Sequence, residues 1–184
     1  MWIRTWMPAA ALGLGLVACG GPTETINLGK HGHIRFDSAE VTIARSTGPD
    51  AHLGSGGTFR IGGEQVVLSP EQRVQVASYY GAARAMRAHT IETGKAGAEV
   101  GLTAAKEVVS GLAHGDTSQV GTKVEAQAQE LKRTAQGICT DLASMRTAQQ
   151  ALVTSLESFR PYAVIEESDV ADCDKDFRSG KPAG

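Results

Sequence analysis

The chain has 184 residues, of which 41% are hydrophobic, 21% charged and only 5% aromatic, and it carries a formal net charge of −2. That length suits one domain of ordinary size, since domains typically run to about 100–150 residues. So weak a charge balance lacks the basic footprint that nucleic acid demands, which leaves no nucleic-acid partner to expect.

The chain opens Met1-Trp2-Ile3-Arg4 and continues with the apolar run Pro8 to Val17. A permanent membrane span needs about 20 apolar residues, so this shorter run reads as a cleavable signal over residues 1–18. It ends in Leu16-Val17-Ala18-Cys19-Gly20, which resembles the lipobox of bacterial lipoproteins, where the cysteine is acylated before the signal is cut. Cys19 is therefore expected to carry lipid and to begin the mature protein. A free thiol behind an ordinary secretory signal is the alternative. Gly20 stands where an aspartate would resemble the inner-membrane retention signal, so the expected address is the outer membrane, facing the periplasm. Removal of residues 1–18 takes away Arg4 and no acidic residue, so −2 becomes −3. It also takes away Trp2 and Trp6, leaving a core built mainly from alanine and aliphatic side chains.

Residues 19–30, including Gly20-Gly21-Pro22-Thr23-Glu24-Thr25, read as the lipidated end and a polar tether. A period of two then sets in over residues 31–69. Ile34 and Phe36 flank Arg35, Val41 and Ile43 flank Thr42, and Phe59 and Ile61 flank Arg60. Turn residues at Asp37-Ser38, Gly48-Pro49-Asp50, Gly54-Ser55-Gly56-Gly57 and Gly62-Gly63 punctuate the pattern. The expectation is a small antiparallel β meander with one apolar and one wet face.

The period changes at Ser69-Pro70-Glu71-Gln72, where Ser69 can cap a helix, Pro70 suits its first position and Gln72 can complete a capping box. Val76, Tyr79, Tyr80, Ala83, Met86 and Ile91 recur at helical spacing, and Ala98, Leu102, Ala105, Val109 and Leu112 continue the stripe beyond Gly94. After a turn at His114-Gly115-Asp116, a second stripe runs from Val120 through Leu131, Leu142, Met145, Gln149 and Leu152 to Phe159. Residues 70–161 thus read as an antiparallel helical hairpin, with Gly94 and Gly137 as places where an arm could break or bend. Residues 162–184 read as an acidic, irregular tail. The fold expected is α+β: a small N-terminal antiparallel meander, a long helical hairpin and a disulfide-tethered C-terminal tail. Its tether follows from cysteine use, because with Cys19 assigned to lipid only Cys139 and Cys173 remain, and the periplasm is oxidising.

The succession from Ile61-Gly62-Gly63-Glu64 through Ser69-Pro70-Glu71-Gln72-Arg73, followed by Tyr79-Tyr80 and later Cys139, resembles the YggN-like family of periplasmic proteins, whose domain has no known function. The likeness runs along most of the mature chain in the order of its elements. It implies a compartment and an architecture, and it brings no catalytic residue. Lipidation is a departure from members that are simply secreted.

Candidate chemistry is sparse, and no cofactor is expected. His31 and His33 would share one face of a strand and could offer two imidazoles to zinc or copper, but a third ligand is needed and none is near in sequence. His52, His89 and His114 are scattered. Asp172, Asp174 and Asp176 alternate like the start of a calcium loop, yet Phe177 stands at its glycine position and Ala183 at its closing glutamate. Ser55 lacks the glycine spacing of a nucleophile elbow. Gly62-Gly63 is followed by Glu64 rather than by the lysine of a phosphate loop.

The small residues Gly94, Gly97, Gly101, Ala104, Ala105 and Gly111 would let another backbone approach the first arm, either the second arm or a partner helix or acyl chain. Lys95, Glu99, Lys106 and Glu107 oppose full burial in a membrane. Three functions follow in order: a non-enzymatic envelope lipoprotein that binds or braces a protein or lipid partner through the hairpin, a periplasmic metal binder using His31 and His33, and a hydrolase of an unrecognised kind.

Overall fold

The computed structural model describes residues 24–27, 32–37, 39–114 and 120–179. Cys19, the apolar run before it and His31 lie outside them. Six strands form one antiparallel sheet in simple sequence order: β1 Glu24–Asn27, β2 His33–Phe36, β3 Glu40–Ala44, β4 Ala51–Gly54, β5 Phe59–Ile61 and β6 Glu64–Gln65. Two long helices follow, α1 Pro70–His114 and α2 Val120–Ser155, then a short 3-10 helix Glu157–Tyr162 and α3 Glu167–Ser179.

The alternation along the strands does what a period of two requires. Ile34, Phe36, Val41, Ile43, Ala51, Leu53 and Phe59 are buried on one face, while Arg35, His52 and Arg60 line up across the other through the pairs Arg35↔Thr42, Thr42↔His52 and His52↔Arg60. The tight turns carry the expected chemistry. Asp37 accepts the backbone N–H groups of Ala39 at 2.8 Å and Glu40 at 2.6 Å. Gly62 and Gly63 both take positive φ, 58° and 101°, as a two-residue hairpin joining β5 to β6 needs.

At the start of α1 the capping box is formed in both directions. The Gln72 N–H donates to Ser69 Oγ at 3.2 Å, and the Ser69 N–H donates to Gln72 Oε1 at 2.9 Å. Ser69 Oγ also donates to Glu71 at 2.7 Å, which holds that exposed carboxyl below its usual range. The Gln72 amide reaches the Ser155 carbonyl at 2.6 Å, so the cap also ties the start of α1 to the end of α2.

One layer of helix covers the apolar face of the sheet. Val76, Tyr79, Ala83 and Met86 of α1 meet Leu142, Met145, Ala148, Leu152 and Leu156 from the far end of the hairpin. Phe159 sits at the centre, with ring centroids 5.6 Å from Phe59, 6.0 Å from Tyr79 and 6.4 Å from Tyr162. Tyr162 donates to the Pro49 carbonyl at 3.0 Å and lies under the Arg45 guanidinium, 4.8 Å from its ring centroid. The Tyr79 hydroxyl, fully buried and without a hydrogen-bond partner among the described residues, has its pKa pushed far above the usual phenol range by desolvation.

Two expectations are corrected. Glu24–Asn27 is not tether but an edge strand, because the β-branched Thr25 and Ile26 pair with Arg35 and Ile34. Nor is the C-terminal segment an irregular tail. Tyr162, Val164 and Ile165 are buried in the core, and residues 167–179 are helical. The acids that suggest a solvated tail suit a helix start, where Glu167 and Asp169 face the positive end of the helix dipole, and Asp169 reaches back to accept the Glu166 N–H at 2.7 Å. At Gly94 and Gly137, where an arm could break or bend, α1 and α2 run on without a break.

The disulfide forms as expected, with Cys139 Sγ of α2 bonded to Cys173 Sγ of α3 at 2.02 Å. Together these elements make the α+β arrangement of meander, helical hairpin and disulfide-tethered C-terminal segment.

Candidate functional site

The wet face of the sheet carries two groups of paired polar side chains. Arg60 grips Glu40 with bonds of 2.5 and 2.6 Å, Arg35 pairs with Asp50 at 2.6 Å, and His52 Nδ1 stands 3.5 Å from Glu40 and 3.2 Å from Thr42 Oγ1. Thr42, His52 and Glu40 have the composition of a relay but not its geometry. Hydroxyl and carboxylate approach the same ring nitrogen, so the imidazole cannot pass a proton from one to the other.

His33 shares this face but stands opposite Ala44, which is no ligand, and its sequence neighbour His31 is outside the described residues. Among the described residues no group of three or more His, Cys, Asp or Glu is placed to hold a metal ion. Asp172, Asp174 and Asp176 lie on α3 rather than in a loop, and Asp174 pairs with Arg178 at 3.7 Å. Ser55 is exposed in the β4–β5 turn, which is closed by the Gly54 N–H donating to the Thr58 carbonyl at 3.0 Å. A shallow cleft of about 290 Å³ lies beside that turn, lined by Gly57, Thr58, Val67, Leu68 and Arg73, with Arg73 its one ionisable side chain.

His89 and Asp141, which show no relation in sequence, meet across the hairpin. His89 Nδ1 lies 2.5 Å from Asp141 Oδ2, and the imidazole rests directly on Gly137, one helical turn before Asp141. Among the described helical glycines, Gly137 is the one with a neighbouring side chain in reach of an added Cβ. A Cβ on Gly137 would lie 3.0 Å from the ring, whereas one on Gly94, Gly97 or Gly101 would meet nothing within 4 Å. Gly94, Gly97 and Gly101 are therefore not a seam for close approach of α2. Gly97→Ala is expected to raise stability by about 1 kcal/mol, the intrinsic helix preference of alanine over glycine. Gly137→Ala is expected to lower it, because the same gain is outweighed by displacing His89 from Asp141. Thermal melts of the two variants check the opposite signs.

The outer half of the hairpin has a different character from its base. Every buried side chain described on α1 lies at or before Met86, and every one on α2 lies at or after Cys139. Beyond those points α1 turns Ala96, Gly97, Val100, Thr103 and Ala104 half-buried toward α2, where Gln127 donates to Thr103 Oγ1 at 3.5 Å. The apolar stripe of α1 lies on the other side of the helix and is exposed. Leu102 is 62% and Val109 68% exposed, and Ala98 and Ala105 are exposed with them. Periodicity had grouped these residues correctly on one face, but it could not say what that face meets.

The chain matches no known family model, no curated protein and no solved structure. No helix among the described residues is long and apolar enough to cross a membrane.

Proposed function

We propose that this is a lipid-anchored protein of the bacterial cell envelope, non-enzymatic, that binds or braces a partner with the outer half of its helical hairpin. The observation that carries the reading is the exposed stripe Ala98, Leu102, Ala105 and Val109, on a pair of helices that continue beyond the last buried residue of the core. From Ile91 to His114 that extension reaches roughly 35 Å at about 1.5 Å of rise per residue. Two helices with no buried side chain among those described between them gain little from each other, and an amphipathic face normally finds apolar cover. The anchor is supported by the run ending in Leu16-Val17-Ala18-Cys19, and the compartment by the disulfide and by the resemblance to the YggN-like periplasmic proteins. Lipid on Cys19 makes the membrane one partner, held at the periplasmic side of the outer membrane, and the stripe takes the other.

The test is photo-crosslinking in intact cells with a photoreactive residue at position 102 or 109, and at the exposed Thr140 as control. A discrete adduct is expected at 102 and 109 and not at 140. Its absence at both stripe positions, or its appearance equally at all three, would defeat the reading. Intact mass of the membrane-extracted protein checks the anchor separately, with a triacylated Cys19 expected.

A further inference from the structure

The pattern of the exposed stripe specifies a partner more closely than exposure alone does. Ala98, Leu102, Ala105 and Val109 follow one another by four, three and four residues, the heptad spacing of a coiled-coil seam. Within the stripe small and large side chains alternate. On one border Glu99 and Lys106 stand a heptad apart, both exposed and neither ion-paired among the described residues. The opposite side of the helix is already occupied by α2.

We propose, building on the binding role of the hairpin, that this face pairs with the same face of a second copy of the chain, as an antiparallel coiled coil about a two-fold axis between Thr103 and Ala104. In that register Leu102 packs on the partner's Ala105 and Ala98 on the partner's Val109, and the symmetry repeats both layers. Each layer then joins one small and one large side chain, which keeps its width even. A parallel pair would set Leu102 against Leu102 and Ala105 against Ala105, leaving a gap at each alanine layer. The charges make the same choice. Residues bordering the seam on the same side of each helix meet across an antiparallel pair, so Glu99 meets the partner's Lys106, and Lys106 meets the partner's Glu99.

A two-fold interface requires that if one residue touches a second, the second touches the first in return. The stripe satisfies this in size and in charge about a single point. A partner of unrelated sequence would need neither the alternation of sizes nor the reciprocal charges.

The test is sedimentation of the full-length protein in density-matched mild detergent, from about one to a few hundred micromolar. A reversible monomer–dimer equilibrium is expected, and Leu102→Asp is expected to weaken it at least tenfold. Glu99→Lys and Lys106→Glu are each expected to weaken it at least fivefold, because each turns two attractions into two repulsions. An equimolar mixture of these two variants is expected to recover the wild-type association, as every charge then again faces its opposite. Far-UV circular dichroism on each variant verifies that the helices are retained.

A protein that stays monomeric throughout overturns the proposal. So does a dimer indifferent to Leu102→Asp, or a mixture that fails to recover. The outcome also separates this inference from the broader one: a monomer that still gives an adduct at positions 102 and 109 in cells, at a mass other than twice the chain, keeps the binding role and removes the self-pairing.

Discussion

Gln149→Leu is expected to lower the stability of the protein by about 3 kcal/mol, although it replaces a polar side chain in the core with an apolar one. Gln149 is 1% exposed and faces the segment that leaves the 3-10 helix. Its amide nitrogen donates to the Ile165 carbonyl at 2.7 Å, and its amide oxygen accepts the Ile165 N–H at 3.0 Å. The side chain thus replaces the two backbone bonds that Ile165 would have made in a helix or sheet. Leucine fills the volume but serves neither group, and each buried group left without a partner costs about 1–3 kcal/mol. The gain from burying leucine offsets only part of this. Urea unfolding checks the result, and the midpoint should fall while the slope stays constant. Gln149→Glu is expected to be no better near neutral pH, because a carboxylate cannot donate to the Ile165 carbonyl and resists desolvation. A loss below about 1 kcal/mol for the leucine variant would mean that the backbone at Ile165 finds other partners and that the clamp is incidental.

Reduction of the Cys139–Cys173 bond is the second large effect. The bond closes a loop with a sequence separation of 34, for which the chain-entropy estimate gives about 3–4 kcal/mol. The full amount is expected only if the reduced protein keeps α3 in place, and the contacts around α3 argue that it does not. Besides the disulfide, the described contacts of α3 include Val170, partly buried against the core, a 3.3 Å pair between Arg146 and the largely exposed Glu167, and an interaction of the half-buried Asp176. A solvent-screened pair of that kind contributes about 0–1 kcal/mol. The helix should therefore open on reduction, and the freedom it recovers while the rest stays folded lowers the global cost below the chain-entropy value. Hydrogen exchange distinguishes the cases. Amides of 167–179 should lose protection in reductant or in the Cys139→Ser, Cys173→Ser double variant, while those of 142–152 keep theirs. Equal protection before and after reduction would show that packing, not the disulfide, holds α3.

Much of this architecture is legible along the chain because the signals are local. The alternation in β2, β3 and β5 records which side chains share a face, and Ser69-Pro70-Glu71-Gln72 carries every group that its capping box uses. Cys139 and Cys173 could be paired by elimination once Cys19 was set aside. The misreadings share a cause. Glu24–Asn27 looks like tether because an edge strand is decided by its neighbour, here the row from His33 to Phe36. Glu167–Ser179 looks irregular because its acids hide a helix start whose signal, Asp169 three residues after Glu166, is short.

The candidate site shows the same division. Sequence alone determined that Ala98, Leu102, Ala105 and Val109 lie together on one side of a helix, since that follows from 3.6 residues per turn. Only the tertiary structure decided that this side looks outward, because the direction of α1 is set some 20 residues away, where Val76, Tyr79, Ala83 and Met86 lock onto the sheet. The meeting of His89 with Asp141 over Gly137, and of Gln149 with Ile165, likewise depends on how α2 returns along α1 and on where the 3-10 helix carries the chain. Periodicity fixes which residues travel together. What they meet is fixed by packing, which couples residues far apart in the chain and leaves no mark on the stretches between them.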